Sequence, residues 1–449
     1  MEKQGIPCVL ESWNDPVMNA IARDSMVHFG VPQCRQVLTA PDTALVDLSP
    51  WLPDLIDALT RPLTALEQES GTWQPPIPPR IAMTGTLDEV QTYFQGDLVA
   101  TPTGGPWAWM TGGGPIIPPT EEAVARMLQG TSHSPDEIMD MDVYLGKSGI
   151  IYKATIEKIA VNAVMAGCKP EYMPAVLAIA ETGGCIGSTS DRTRGHMYVV
   201  SGPYAKEIGM NSGFQFFGAG NPANESLQQA AQLIGINLHG MKYGITNGSR
   251  MGGMAWGTTF AENPDTPWDT LNVDLGYDAD ESVLLMWDGS MAFAPGVQTG
   301  IQVSTNLEEL QSGSPELVAA AFSNPLFGGV TSDSSILIFS PDTARKWKEK
   351  FGFDSIQEIQ DYLWDNALWP AGEWYDEYTF KRDKRAEIVP RERGIRQQNP
   401  DHLDLPPDTL VPIIRDPEDS YIIVAGGSGE AWGFASANGP DHYSIDKWR

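Results

Sequence analysis

Apolar residues recur along this chain in two periods, one helical and one short and strand-like. Between residues 50 and 67, Leu52, Leu55, Ile56, Leu59, Leu63 and Leu66 fall at helical spacing. Between 155 and 167, Ile156, Ile159, Ala160, Ala163 and Val164 do the same, and Gly167 stands where a helix would stop. Lys169-Pro170-Glu171-Tyr172 then opens a second apolar helix reaching about Glu181, so two helices meet at a tight corner that carries Cys168. Short apolar runs at 6–10, 35–39, 81–83, 197–200, 282–286, 335–339 and 421–424 read as strands between Gly-rich turns. Helix starts are written at Asn14-Asp15-Pro16, ahead of Val17, Ile21 and Met26, and at Thr86, ahead of Asp88 and Glu89. A third lies at Asn221 before Pro222, or at Asn224 before Glu225, ahead of a helix to about Gly235. This alternation predicts an α/β fold of the mixed α+β kind.

Residues 1–68 read β-α-β-α, which suits half of an open parallel sheet but is small for a domain, so later parts of this chain or another chain are expected to complete it. Residues 69–80, with Trp73-Gln-Pro-Pro-Ile-Pro-Pro, form a Pro-rich linker. Residues 81–300 make the main α/β domain and 301–449 a C-terminal α/β part. Within the latter, 381–396 gathers Lys381, Arg382, Lys384, Arg385, Arg391, Arg393 and Arg396 into a basic arm. On a chain of formal charge −29 that arm reads either as a dock for an acidic partner or a second copy, or as a solvated linker.

The same charge makes nucleic acid and anionic membrane surfaces poor partners. With 41% hydrophobic and 19% charged residues the chain is nonetheless a folded globular one. No apolar stretch approaches the length of a spanning helix and the N-terminus has no secretory core, so a cytoplasmic protein with reduced thiols is expected. The four cysteines, Cys8, Cys34, Cys168 and Cys185, show no C-x-x-C spacing, which argues against structural zinc and leaves metal content open.

Three regions carry candidate chemistry. In the first, Lys158 and Asn162 are four apart and share a helix face suited to a small anion, Glu157 is a candidate for proton transfer, and Cys168 is a candidate thiol. A helix N-terminus and Lys169 beside Cys168 would lower its pKa, whereas the alternative is a small buried apolar residue. In the second, Cys185 sits in a Gly- and hydroxyl-rich turn, followed by Arg192 and His196, a guanidinium for binding and an imidazole for proton transfer, or else simply a solvated loop. In the third, Asn211 and Ser212 precede the Gly218-Ala-Gly220 turn and the Asn221 and Asn224 helix start, whose amides could hold an anion. Trp107 and Trp109, between glycine-rich stretches, read as a lid over a site or as anchors of a surface loop.

At these residues the chain resembles the UGSC family of selenoproteins and their cysteine counterparts, described as thiol redox proteins. The matching stretches are Gly85-Thr-Leu-Asp-Glu-Val, Pro115-Ile-Ile-Pro-Pro-Thr-Glu-Glu, Ala154 through Tyr172, and Gly202-Pro through Met210-Asn-Ser-Gly213. They continue through Gly220-Asn-x-x-Asn224, Phe260-Ala-Glu-Asn263 with Pro267-Trp268, and Ala425-Gly-Gly427. The family's U/C-G-S-C motif lies upstream of a Gly-Ile-Pro strand in a segment distantly like the aspartate/glutamate racemases. Here Gly5-Ile6-Pro7 stands almost at the first residue, and Cys185-Ile-Gly-Ser188 is not an equivalent. The resemblance therefore implies a split form, in which a second chain supplies the redox cysteines and completes the N-terminal sheet. It implies a two-chain enzyme acting on a small anionic molecule by thiol-dependent redox or carbon–heteroatom bond chemistry. The alternatives are a non-catalytic scaffold for that partner and a single-chain lyase or hydrolase without a thiol role. A homo-oligomer is compatible with each.

Overall fold

The structure is a computed structural model. It describes residues 6–15, 19, 22–23, 26–27, 30–39, 48–68, 80–96, 98–100, 106–108, 110–141, 152–184, 195–239, 258–289, 313–323, 334–371, 405–414 and 416–449. The fold is mixed α+β, as the alternation predicts.

The N-terminal unit pairs β1 (Val9–Trp13) with β2 (Arg35–Thr39) in parallel, Val9 opposite Arg35 and Trp13 opposite Thr39. Helix α1 (Leu52–Thr60) packs on both strands. The helix expected over 50–67 breaks at Arg61, whose backbone is extended (ψ 131°) ahead of Pro62. A residue before proline is pushed out of the helical region, so the chain restarts only at α2 (Ala65–Gln68). The buried Arg35 staples this break, its guanidinium donating to Glu67 at 2.7 Å and to the carbonyls of Arg61 and Pro62. The helix expected after Asp15 lies largely outside the described residues.

Thr86 caps α3 (Leu87–Gly96), exchanging bonds with Glu89 as sequence chemistry dictates. Residues 81–83 form no strand. Two hairpin-like pairs follow, β3 (Leu98–Ala100) with β4 (Pro106–Ala108), and β5 (Ile138–Met141) with β6 (Tyr152–Thr155), separated by α4 (Glu121–Met127). Thr155 then caps α5 (Ile156–Met165), and Gly167 ends it with φ +79°. Helix α6 (Met173–Glu181) is apolar all round, and residues 173–180 are all buried.

The centre of the molecule is a six-stranded mixed sheet. Its strands are β7 (Gly195–Ser201), β8 (Thr258–Ala261), β9 (Val283–Gly289), β10 (Ser334–Phe339), β13 (Ser420–Val424) and β14 (Trp432–Ser444), with the small pair β11 (Leu368–Pro370) and β12 (Leu410–Pro412) apart. The order is β13-β10-β14-β9-β7-β8, with the two outer pairs parallel and the inner ones antiparallel. Spans 81–300 and 301–449 thus share one sheet.

The sheet is rolled. Asn263, two residues past β8, donates its backbone N–H to the carbonyl of Val424 on β13 at 2.7 Å, so the two outermost strands meet. Alternation does the rest: Met197, Val199, Phe260, Leu285, Trp287 and Ile338 point inward and form one buried cluster. Tyr198, Val200 and Leu284 point outward against α5, α6 and the long helix α8 (Pro222–Asn237), which follows the short α7 (Pro203–Glu207). The outward residues Leu337 and Phe339 meet a second helical layer, α10 (Pro315–Phe322), α11 (Pro341–Glu349) and α12 (Ile356–Asn366), beyond the single turn α9 (Leu271–Asp274). No helix among the described residues is long and apolar enough to cross a membrane.

Candidate functional site

The corner between α5 and α6 is built for packing. Glu157 is engaged by Arg80 at 2.7 Å, which also holds Glu121 at 2.9 Å, so this carboxylate clamps the start of the 81–300 span onto α5. Asn162 is buried, donating to the Lys158 carbonyl at 2.9 Å while its Oδ1 accepts from Asn237 at 2.8 Å. It ties α5 to α8, with one N–H and one Oδ1 lone pair of its amide engaged there. Cys168 is buried and its Sγ contacts the Ser226 carbonyl at 3.4 Å. Burial pushes its thiol up to about 12, against a smaller lowering by the Ser226 contact, which is opposite in direction to what adjacent Lys169 and the helix start suggested. His196 is buried as well, with Nδ1 3.1 Å from the Tyr198 hydroxyl, which lies 3.3 Å from Thr182 Oγ1. Cys185, Arg192, Trp109 and the basic arm 381–396 lie outside the described residues, and Trp107 stands in β4.

The third sequence region is the one the fold gathers. Residues 209–221 cross from α7 to α8 over the point where β8 and β13 meet. Asn221 caps α8 by accepting from Asn224 N at 2.8 Å and donates to the Gly209 carbonyl at 3.2 Å. Asn224, buried, reaches back: its Oδ1 accepts from Asn211 N and its Nδ2 donates to the Asn211 carbonyl, each at 3.0 Å. Asn211 in turn accepts from Gly213 N at 2.9 Å and donates to the Phe214 carbonyl at 2.8 Å. The Ser212 carbonyl accepts from Gly426 N at 2.8 Å, fixing the loop to the end of β13. Three asparagines and one serine from the sequence reading thus converge, and they first of all fold the loop.

What the loop presents is unusual. Phe216 turns inward, 5.0 Å from Phe260, while Phe214 is 69% exposed. Gln215 between them has φ +56°, the one positive φ of a non-glycine residue among the described ones. The Phe214 ring seats on Gly427, where a Cβ would fall 2.1 Å from its Cδ2, so only glycine admits this ring position. Asn211, Phe214, Gln215, Ala219, Gly220 and Asn221 enclose an open hollow of about 340 Å³.

Sequence reasoning gave no chemical role to Glu262, one residue before Asn263. It is buried, accepting from Ser201 Oγ at 2.6 Å and Leu271 N at 2.9 Å, while Ser201 also bonds Asn272. Burial raises its carboxyl to about 7. The stretch Phe260-Ala-Glu-Asn263 was visible, but its partners lie 61 and 9 residues away. No group of three or more His, Cys, Asp or Glu among the described residues is placed to hold a metal ion. Comparison of the chain with protein-family models, curated proteins and solved structures finds no match.

Proposed function

We propose that the protein is an enzyme subunit acting on a small polar molecule bound in the hollow over the head of α8, with Cys168 outside its chemistry. The observation that carries this reading is the seating of an exposed Phe214 beside a strained Gln215 on a loop otherwise fixed by asparagine bonds. Strain and exposed aromatic surface both cost stability, and folds tolerate them chiefly where a ligand uses them. The loop also stands where two strand ends meet, a common location for binding sites. A thiolate role for Cys168 is disfavoured by its burial, which keeps the thiol neutral.

A second protein chain belongs to the same reading. Among the described residues the β1–β2 sheet is two strands wide, and α1 exposes Leu52, Ile56 and Leu59, spaced at i, i+4 and i+7. A two-stranded parallel pair with a bare helix stripe is marginal alone, which supports an added partner there.

Gly427→Ala tests the hollow. The added methyl displaces the Phe214 ring while leaving the core alone, so the variant keeps the wild-type melting temperature. In a thermal-shift screen of small polar metabolites, compounds that raise the wild-type transition should leave the variant's unchanged; ligand at 100 Kd stabilises by about 2.7 kcal/mol. Equal stabilisation of both proteins would refute the site.

A further inference from the structure

The six residues enclosing the hollow carry carboxamides, one aromatic ring and main chain, and none is ionisable. On a chain of charge −29 this neutrality is selective, and the nearest charge along the helix is the exposed carboxylate of Glu225 in the first turn of α8. An anion would meet no cation in this lining and a repelling field around it. A neutral molecule with its own donors and acceptors matches the carboxamides and main-chain groups of this lining.

The lining has two kinds of recognition element. Phe214 offers a flat face that is exposed yet held in place by Gly427. Gln215 offers a carboxamide that no group among the described residues engages. Asn211 and Asn221 each spend one Oδ1 lone pair on a backbone N–H, at 2.9 and 2.8 Å, and keep the second. A carboxamide places a donor beside an acceptor, which matches the edge of a ring that also has a donor beside an acceptor. A volume of about 340 Å³ suits one such ring with a substituent.

We infer that the hollow takes an uncharged planar ring with an amide-like edge, of the nucleobase or nicotinamide type, stacked on Phe214 and read at its edge by Gln215, Asn211 and Asn221. This rests on the hollow being the functional site, and it goes further in replacing the expected small anion by a neutral heteroaromatic ring.

The test is calorimetric titration of the full chain with uracil, adenine and nicotinamide, and in parallel with methyl glucoside and inorganic phosphate. At least one ring amide should bind the wild type, and Phe214→Ala and Gln215→Ala should each weaken it about tenfold or more, as loss of a base-stacking or edge contact does. Both side chains are exposed, so these variants keep the fold. Binding of methyl glucoside or phosphate instead, lost in Gly427→Ala, would overturn the ring assignment and leave the hollow standing as the site. If no probe binds and metabolite screening gives no response that depends on Gly427, both readings fall.

Discussion

Glu262 shows how far a single residue's chemistry is set by what folds around it. Its carboxyl is enclosed by Ser201 and the start of α9, with Asp274 adding like charge, and its pKa rises to about 7 from an ordinary 4.5. A raised acid pKa means that the native state prefers the neutral form. Its contribution to stability is therefore full below about 4.5, falls as pH rises to about 7, and is level above that. The loss amounts to roughly 3 kcal/mol at 1.36 kcal/mol per unit. Glu262→Gln keeps the acceptor for Ser201 and Leu271 without the charge, so it should match the wild type at pH 4.5 and exceed it at pH 8. Urea denaturation at both values checks this, and parallel pH dependence in the two proteins would contradict it. Single-residue chemistry was legible where its partners are local, as for Asn221 with Asn224. At Cys168 the sequence left a lowered thiol and a small buried residue both open, because local charge and helix ends are visible in sequence while burial is not, and the fold buries it.

At the scale of elements, helix caps are the most legible feature of the chain. Thr86 caps the helix it precedes, and of the two starts offered for α8 it is Asn221 that caps; Thr155 caps α5 and Arg61 breaks the helix ahead of Pro62, neither of which the apolar period announces. Clasps between distant elements were not visible. His133 Nδ1 lies 2.9 Å from Glu137 and its Nε2 2.8 Å from the Lys447 carbonyl, with the ring against Trp448. Both partners only accept, so the doubly protonated imidazolium satisfies both, and the carbonyl of Lys447 together with Glu137 raises its pKa. Lys447 further pairs with Glu181 on α6 at 2.6 Å. The His133 contribution is complete below the ordinary histidine value near 6.5 and is lost as pH rises through the raised one. Hydrogen exchange of residues 445–449, corrected for intrinsic rate, should be slower at pH 6 than at pH 9 in the wild type and equal at both in His133→Ala. Equal protection at both pH values in the wild type would remove the clasp.

For the whole molecule, the mixed α+β class and four of the six central strands followed from apolar runs. The other two did not. β8 is short, and β14 carries Gly433, Gly439 and Pro440 with a register shift between Asn438 and Asp441, so neither shows a clean strand period. Without them the sheet cannot be joined across residue 300, and its rolling is out of sight. That rolling is what brings Asn263, Gly426 and the 209–221 loop to one place. Part of the site was therefore readable as an asparagine-rich helix start, while Phe214, Gln215 and Gly427 become meaningful only once β8 and β13 meet.

A ligand bound where β8 and β13 meet can be observed directly. The direct measurement is fluorine NMR of the full chain with 4-fluorophenylalanine at position 214, and a second sample labelled at Phe353 in the far helical layer, each titrated with small ring amides. A saturable shift at 214 with an unchanged signal at 353 is the predicted result. A signal at 214 that stays fixed while a ligand demonstrably binds the protein would place the functional site elsewhere.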